Sequence, residues 1–256
     1  NKSGIPTVGG AIYFHPSYAG KPLIYVGTVG VLPPSIKGKP TANKEILPGD
    51  LIVMAGGRVG RDGVHGATMS SLELEESVPL SVVQIGDPIT QKRLHDFLLE
   101  ARDLGLYRTL TDNGAGGLSS SVGEMAQLSG GAEIDVSKCP LKYPGLVPWE
   151  IIVSESQERM TFAVPETNWS AFYELSLKRG VEASVLGTFN QSGFFEVKVG
   201  TDTVASLPLS FLHNGLPPMQ LKAYWNGNEA ILSAFKWRSV KLESVPMVGF
   251  KQTLQQ

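Results

Sequence analysis

The alternation of apolar and polar stretches divides the chain into candidate elements and the loops between them. Lys21–Val31, KPLIYVGTVGV, is rich in β-branched and apolar residues and reads as a buried strand. The next stretch, LPPSIKGKPTANKEILPGD, carries proline, lysine and turn formers and reads as a linker. A new core begins at Asp50 with DLIVMAGG. An apolar strand, VVQIGDP, holds Gln84 in its middle, and Asp87–Pro88 then opens an amphipathic helix, DPITQKRLHDFLLEARDLG. Asp87 serves as N-cap and Pro88 as first helical residue, the apolar stripe passes through Leu94, Phe97, Leu98 and Leu104, and Gly105 closes the helix.

TLTDNGAGG is a strand end entering a glycine turn, followed by a helix over roughly Leu118–Leu128. AEIDVS and ERMTFAVP read as strands, WEIIV as a short apolar helix, and Thr167–Arg179 as a helix closed by Gly180. ASVLGTF and GFFEVKVG pattern as a hairpin around Asn190–Gly193. Crossovers mixed with hairpins predict an α/β (α+β) fold: a mixed sheet packed with helices. No internal repeat is found.

Composition narrows the function classes. Hydrophobic residues at 42% and charged residues at 18% of 256 fit a folded soluble protein, and 29 glycines with 17 prolines argue against a helical bundle. A net charge of −2 leaves no footprint for nucleic acid or an anionic membrane, and the one basic cluster, Lys236–Trp237–Arg238, is small. No run approaches the roughly 18 apolar residues that span a bilayer. The lone Cys139 cannot form an internal disulfide, which fits a cytoplasmic setting, and it reads as an inert thiol. The opening NKSGIPTVGG has neither an initiator methionine nor a signal-peptide pattern, so an origin within a longer polypeptide is expected.

Four places offer chemistry. The loop Gly56–Ala67, GGRVGRDGVHGA, combines five glycines with Arg58, Arg61 and His65, so its amides and guanidinium groups suit an anion; a solvated surface loop is the alternative. TDNGAGGLSSS sets Asp112, a hard oxygen ligand for Mg²⁺, before a helix N-terminus that suits phosphate. The same pattern describes a capped helix after a tight turn. SESQER, Ser154–Arg159, interrupts two core elements, and Glu155, Ser156 and Gln157 are either ligand-facing or an ordinary polar turn. Gln84 inside an apolar strand bonds either backbone or ligand. His15, His95 and His213 read as structural or surface residues.

These signals occur together and in one order. GIPTVGG, GGRVGRDGVHGAT, VQIGDP, TDNGAGGLSSSVGEMA, YPGLVPWEI and SESQERM resemble the synthetase subunit of phosphoribosylformylglycinamidine synthase, from about Gly4 to His213. The resemblance implies a fold like the C-terminal domain of aminoimidazole ribonucleotide synthetase over residues 47–213. Residues 1–34 would end a preceding ATP-site domain, 35–46 would link, and 214–256 would lead towards a second ATP-site domain. It implies that Gln84, Glu155, Ser156 and Gln157 contact formylglycinamide ribonucleotide, that Asp112 binds Mg²⁺, and that Arg58, Arg61 and His65 serve the substrate phosphate. The motif reads Asp-Asn-Gly where relatives often have Asp-Met-Gly or Asp-Gln-Gly, but Asp112 is kept.

The implied activity is an ATP-dependent ligase of purine biosynthesis. The amide oxygen is phosphorylated by ATP and ammonia then displaces the phosphate at carbon. TDNGAGGLSSS is closer to the small-type subunit, which takes ammonia from a separate glutaminase. The family's ATP-site lysine and catalytic histidine would lie before Asn1, so no catalytic residue is assigned and this stretch is expected to bind without catalysing. A sibling ATP-dependent enzyme of the superfamily, or a non-catalytic module of the same fold, stands beside this reading. Finally, Gln84, Glu155–Gln157 and Asp112 are expected to converge on one cleft.

Overall fold

A computed structural model describes residues 4–20, 22–66, 69 and 83–222. Ala67 and Thr68 of the glycine loop, the first valine of VVQIGDP, Lys236–Trp237–Arg238 and most of 214–256 lie outside the described residues. The chain divides into two compact units, Asn1–Leu216 and Pro217–Gln256, and all the elements below belong to the first.

The linker carries a two-residue ladder, β1 (Ser35–Ile36) with β2 (Lys39–Pro40). The principal sheet holds seven strands among the described residues: β3 (Leu51–Gly56), β4 (Thr109–Asp112), β5 (Ala132–Asp135), β6 (Arg159–Val164), β7 (Ala183–Phe189), β8 (Phe194–Val199) and β9 (Asp202–Pro208). Their order is β4-β6-β3-β7-β5-β8-β9. Every neighbouring pair is antiparallel except β5 with β8. The helices are α1 (Pro88–Asp103), α2 (Gly117–Ser129), α3 (Pro148–Val153), α4 (Trp169–Arg179) and α5 (Leu209–Asn214).

The apolar run of β3 has no polar partner face because both of its faces are covered. Ile52 and Met54 join Leu118, Val122, Leu186 and Phe195 in one core. Val53 and Ala55 join Phe97, Phe162, Phe172 and Leu175 in the other. Helices α1 and α4 pack on that second face through edge-to-face rings, with Phe97–Phe172 centroids 4.9 Å and Phe162–Phe172 centroids 5.3 Å apart. Helix α1 starts as its sequence predicts: the Asp87 carboxylate accepts from the Ile89 and Thr90 amides, and Gly105 lies just beyond the C-cap at φ +66°.

Three expectations are corrected. Residues 22–31 form no strand; Leu23, Ile24, Tyr25 and Val26 are exposed and pair with no sheet edge among the described residues, so composition alone does not produce a ladder. Gln84 is not inside a strand either, since Val83–Asp87 is an exposed bend and coil running into α1. Finally, β7 and β8 are not a hairpin. β5 lies between them, and the Asn190–Gly193 loop steps across its start, the Asn190 amide bonding the Gly131 carbonyl at 2.9 Å and the Gly193 amide that of Gly130 at 2.8 Å. Four residues reach across the roughly 9.5 Å of two strand spacings. Gly187 permits the insertion, because a Cβ there would sit 1.9 Å from the Glu133 carbonyl oxygen. The hairpin that does form joins β8 to β9, a strand the periodicity did not reveal.

Candidate functional site

The sheet order places the beginning of β6 between the ends of β3 and β4, so three loops meet there. They are the glycine loop after β3, the glycine turn after β4, and the Ser154–Glu158 turn before β6.

Glu155 ties two of the segments together. It is 3% exposed, and its Oε2 accepts from Gln84 Nε2 at 2.8 Å while Oε1 accepts from the Gly116 amide at 3.2 Å. Gly116 is the N-cap of α2, at φ +78° and without a side-chain cap, so a carboxylate from a remote segment meets the positive end of the helix. Gly117 follows at φ +55°, where a Cβ would fall 2.2 Å from the Ser154 carbonyl oxygen. Glycine is required there for the turn and α2 to close on each other. Gln157 is half-buried and its Nε2 donates to the Glu155 carbonyl at 3.0 Å.

Asp112 is exposed at the end of β4, and its Oδ1 accepts from the Gly114 amide at 2.9 Å. It therefore shares a turn with Gly116, although its own side-chain bond stays within that turn. Asn113 is buried: its Oδ1 accepts from Ser121 and Thr161, while its Nδ2 has no partner among the described residues.

The loop residues spread out. Arg58 is exposed and forms a two-point pair with Glu182, Nε to Oε2 at 2.8 Å and Nη2 to Oε1 at 3.2 Å. It lines a cleft of about 330 Å³ with Asp87, Arg93, Gln157 and Glu158. Glu158 takes a left-handed φ of +58°, and burial raises its carboxyl above the ordinary value. Arg61 turns to Glu150 (2.9 Å) and the Gly145 carbonyl (3.2 Å), and His65, at φ +61°, stacks on Trp149 with centroids 5.9 Å apart. The structure thus brings Gln84, Glu155, Gln157 and the Asp112 turn together and sets Arg61 and His65 against α3. Of the histidines read as structural or surface, His213 bonds the Gly123 carbonyl at 3.0 Å. Cys139 is buried, and burial pushes its thiol up to about 12.

Ser156 is fully buried. Its hydroxyl donates to Asp62 Oδ1 at 2.8 Å and accepts from the Gly60 amide at 3.0 Å. Asp62 also accepts from Lys142 Nζ at 2.8 Å. Burial alone would raise the Asp62 carboxyl, but the bonds from Lys142 and Ser156 outweigh it and hold it below the ordinary value. Arg159 lies beneath the turn, 3% exposed, its guanidinium on the Ser156 and Ser154 carbonyls, and burial lowers its pKa to about 10. Neither Asp62 nor Arg159 was singled out from sequence. The available signal was an arginine opening the otherwise apolar strand RMTFAV.

A mixed sheet covered by helices on both faces, with a polar cleft built from loops at strand ends, defines an α/β domain of the kind that binds ligands at its loop edge. Residues 48–200 match the family model described as AIR synthase related protein, C-terminal domain, and the chain belongs to that family. It is 43% identical over 226 residues to the phosphoribosylformylglycinamidine synthase subunit PurL of Methanopyrus kandleri, covering 86% of this chain and 30% of that one. Among solved structures it resembles Thermotoga maritima PurL complexed with FGAR, at 33% identity and a TM-score of 0.66. It also resembles the same protein complexed with ATP, at 31% identity and a TM-score of 0.60. Those matches cover 72% of this chain and 31% and 29% of the solved ones. The chain spans about 30% of the length of the curated relatives it matches.

Proposed function

We propose that this chain is the substrate-facing part of an ATP-dependent ligase that forms formylglycinamidine ribonucleotide from formylglycinamide ribonucleotide and ammonia. It would do so in the cytoplasm, together with ATP-site domains of the same polypeptide and a separate glutaminase subunit. The observation that carries this reading is the junction at Glu155, where Gln84, the Ser154–Glu158 turn and the glycine turn after Asp112 meet through hydrogen bonds. Three segments far apart in sequence, each offering acceptors and amide donors, converge where a polar substrate can be gripped at several points. Such a grip holds the reacting amide in one geometry, so binding energy from the rest of the substrate orients the reacting centre.

Asp112 fits a Mg²⁺ role. Among the described residues no group of three His, Cys, Asp or Glu could hold a metal, and at the glycine turn the exposed carboxylate is that of Asp112. Mg²⁺ keeps several waters and takes phosphate oxygens, and needs only one or two carboxylates from protein. When bound it would supply charge neutralisation to the transferring phosphoryl group. Arg58, Arg61 and His65 remain assigned to the substrate phosphate. Arg58 pairs with the exposed Glu182, a contact weak enough to exchange for a phosphate, whereas the partner of Arg61, Glu150, is 13% exposed.

The test is made on the full-length ligase. Glu155→Gln should weaken formylglycinamide ribonucleotide binding at least about tenfold, the scale of one lost charged hydrogen bond, and leave ATP binding unchanged. Unaltered affinity for the ribonucleotide would remove Glu155 from the site. Asp112→Asn should cut turnover by orders of magnitude at ordinary Mg²⁺ with folding retained, and wild-type turnover would end the metal assignment.

A further inference from the structure

The polar turn does not stand on its own backbone. Ser156 donates to Asp62 and accepts from Gly60. Ser154 Oγ donates to the Gly60 carbonyl at 2.7 Å and accepts from the Ser156 amide at 3.3 Å. From below, Arg159 donates to the carbonyls of Ser154 and Ser156. Lys142 holds the other Asp62 oxygen. Ser154, Ser156 and Arg159 are buried, so their bonds to one another, to Asp62 and to the loop act where water does not compete.

We infer that Asp62 and Arg159 are positioning residues that clamp the Glu155–Gln157 turn from two sides, and that the Ser156 side chain works inside this clamp instead of on the substrate. The inference rests on the functional reading above only for the identity of the ligand. Ser156 has no exposed surface, and its hydroxyl proton already goes to a carboxylate. Its neighbours Glu155 and Gln157 point their side chains elsewhere, to Gln84 and along the turn. The clamp also explains why an aspartate sits inside the glycine loop: it links the loop after β3 to the turn before β6, across 94 residues of sequence.

Two measurements test it in the full-length ligase. In a double-mutant cycle, Asp62→Ala and Ser156→Ala should each weaken formylglycinamide ribonucleotide binding about tenfold, leave ATP binding unchanged, and together cost no more than either alone. A direct Ser156 contact with substrate would make the two losses multiply, to about a hundredfold, and overturn the assignment. Hydrogen exchange reads the clamp without any ligand. Asp62→Ala should speed exchange at the Ser156 and Gln157 amides and leave Phe195 in β8 unchanged; unaltered exchange at the turn would overturn the clamp. Should the wild type fail to bind the ribonucleotide, the functional reading falls and the exchange result alone decides the clamp. If Asp62→Ala does not fold, Asp62→Leu, which is similar in size but has no acceptor oxygen for Ser156, takes its place with the same outcomes.

Discussion

The polar turn before β6 and the arginines of the loop after β3 use similar donors and acceptors in opposite surroundings. In the turn, Ser154, Glu155, Ser156 and Arg159 are buried and bonded to backbone, to Asp62 or to one another. In the loop, Arg58 and Arg61 reach into solvent and pair with Glu182 and Glu150. A buried polar group costs free energy whenever its partner is removed, whereas a solvated ion pair exchanges its partner for water at little cost. The turn is therefore a fixed fixture, and the arginines are adjustable ones, suited to a ligand that arrives and leaves.

The sharpest way to break this contrast is Gly117→Ala. The added Cβ would collide with the Ser154 carbonyl oxygen at 2.2 Å in a left-handed backbone, so the turn and α2 must separate. A destabilisation of about 3 kcal/mol or more is expected in urea unfolding. Arg159→Met comes next. It leaves two buried carbonyls unpaired, and a loss of about 3 kcal/mol is expected by the same measurement. A smaller effect follows from Asp62. Its carboxyl is held below the ordinary value, so its contribution to stability is complete above about pH 4 and disappears as pH falls through the lower folded value. The thermal midpoint of the wild type should thus fall more steeply with acid than that of Asp62→Asn. The least effect belongs to Arg58→Ala, which should leave the unfolding midpoint within error of the wild type. A clear loss there would show that the loop pair is as structural as the turn.

Much of the fold was legible from periodicity and punctuation. The cap at Asp87–Pro88, the closing residues Gly105 and Gly180, and the apolar run of β3 all depend on local backbone chemistry, and the structure follows them. The failures share a different cause. KPLIYVGTVGV has strand composition, but a strand needs a partner edge, which composition cannot supply. The β7–β8 hairpin was a sound inference from two neighbouring strands, yet β5 intrudes because Gly187 lets its backbone approach. At the site, Gln84 stood out as an amide in a strand that the structure does not form, whereas Asp112 and Glu155–Gln157 stood out as polar residues at the ends of core elements. Arg159 was passed over because an arginine beside other polar residues looks solvated until burial is known.

By itself, the sequence determined the caps of the long helix after Asp87, the apolar run that begins the core at Asp50 and the six motifs that carry the family resemblance, since each is written in local residue order. Only the tertiary structure decided that Glu155 joins Gln84 to the Gly116 amide, that Asp62 and Arg159 hold the turn from two sides, and that Ser156 is turned inward. Those outcomes depend on which strand ends lie side by side and on which polar groups lose water, and neither is encoded in the spacing of residues along a chain.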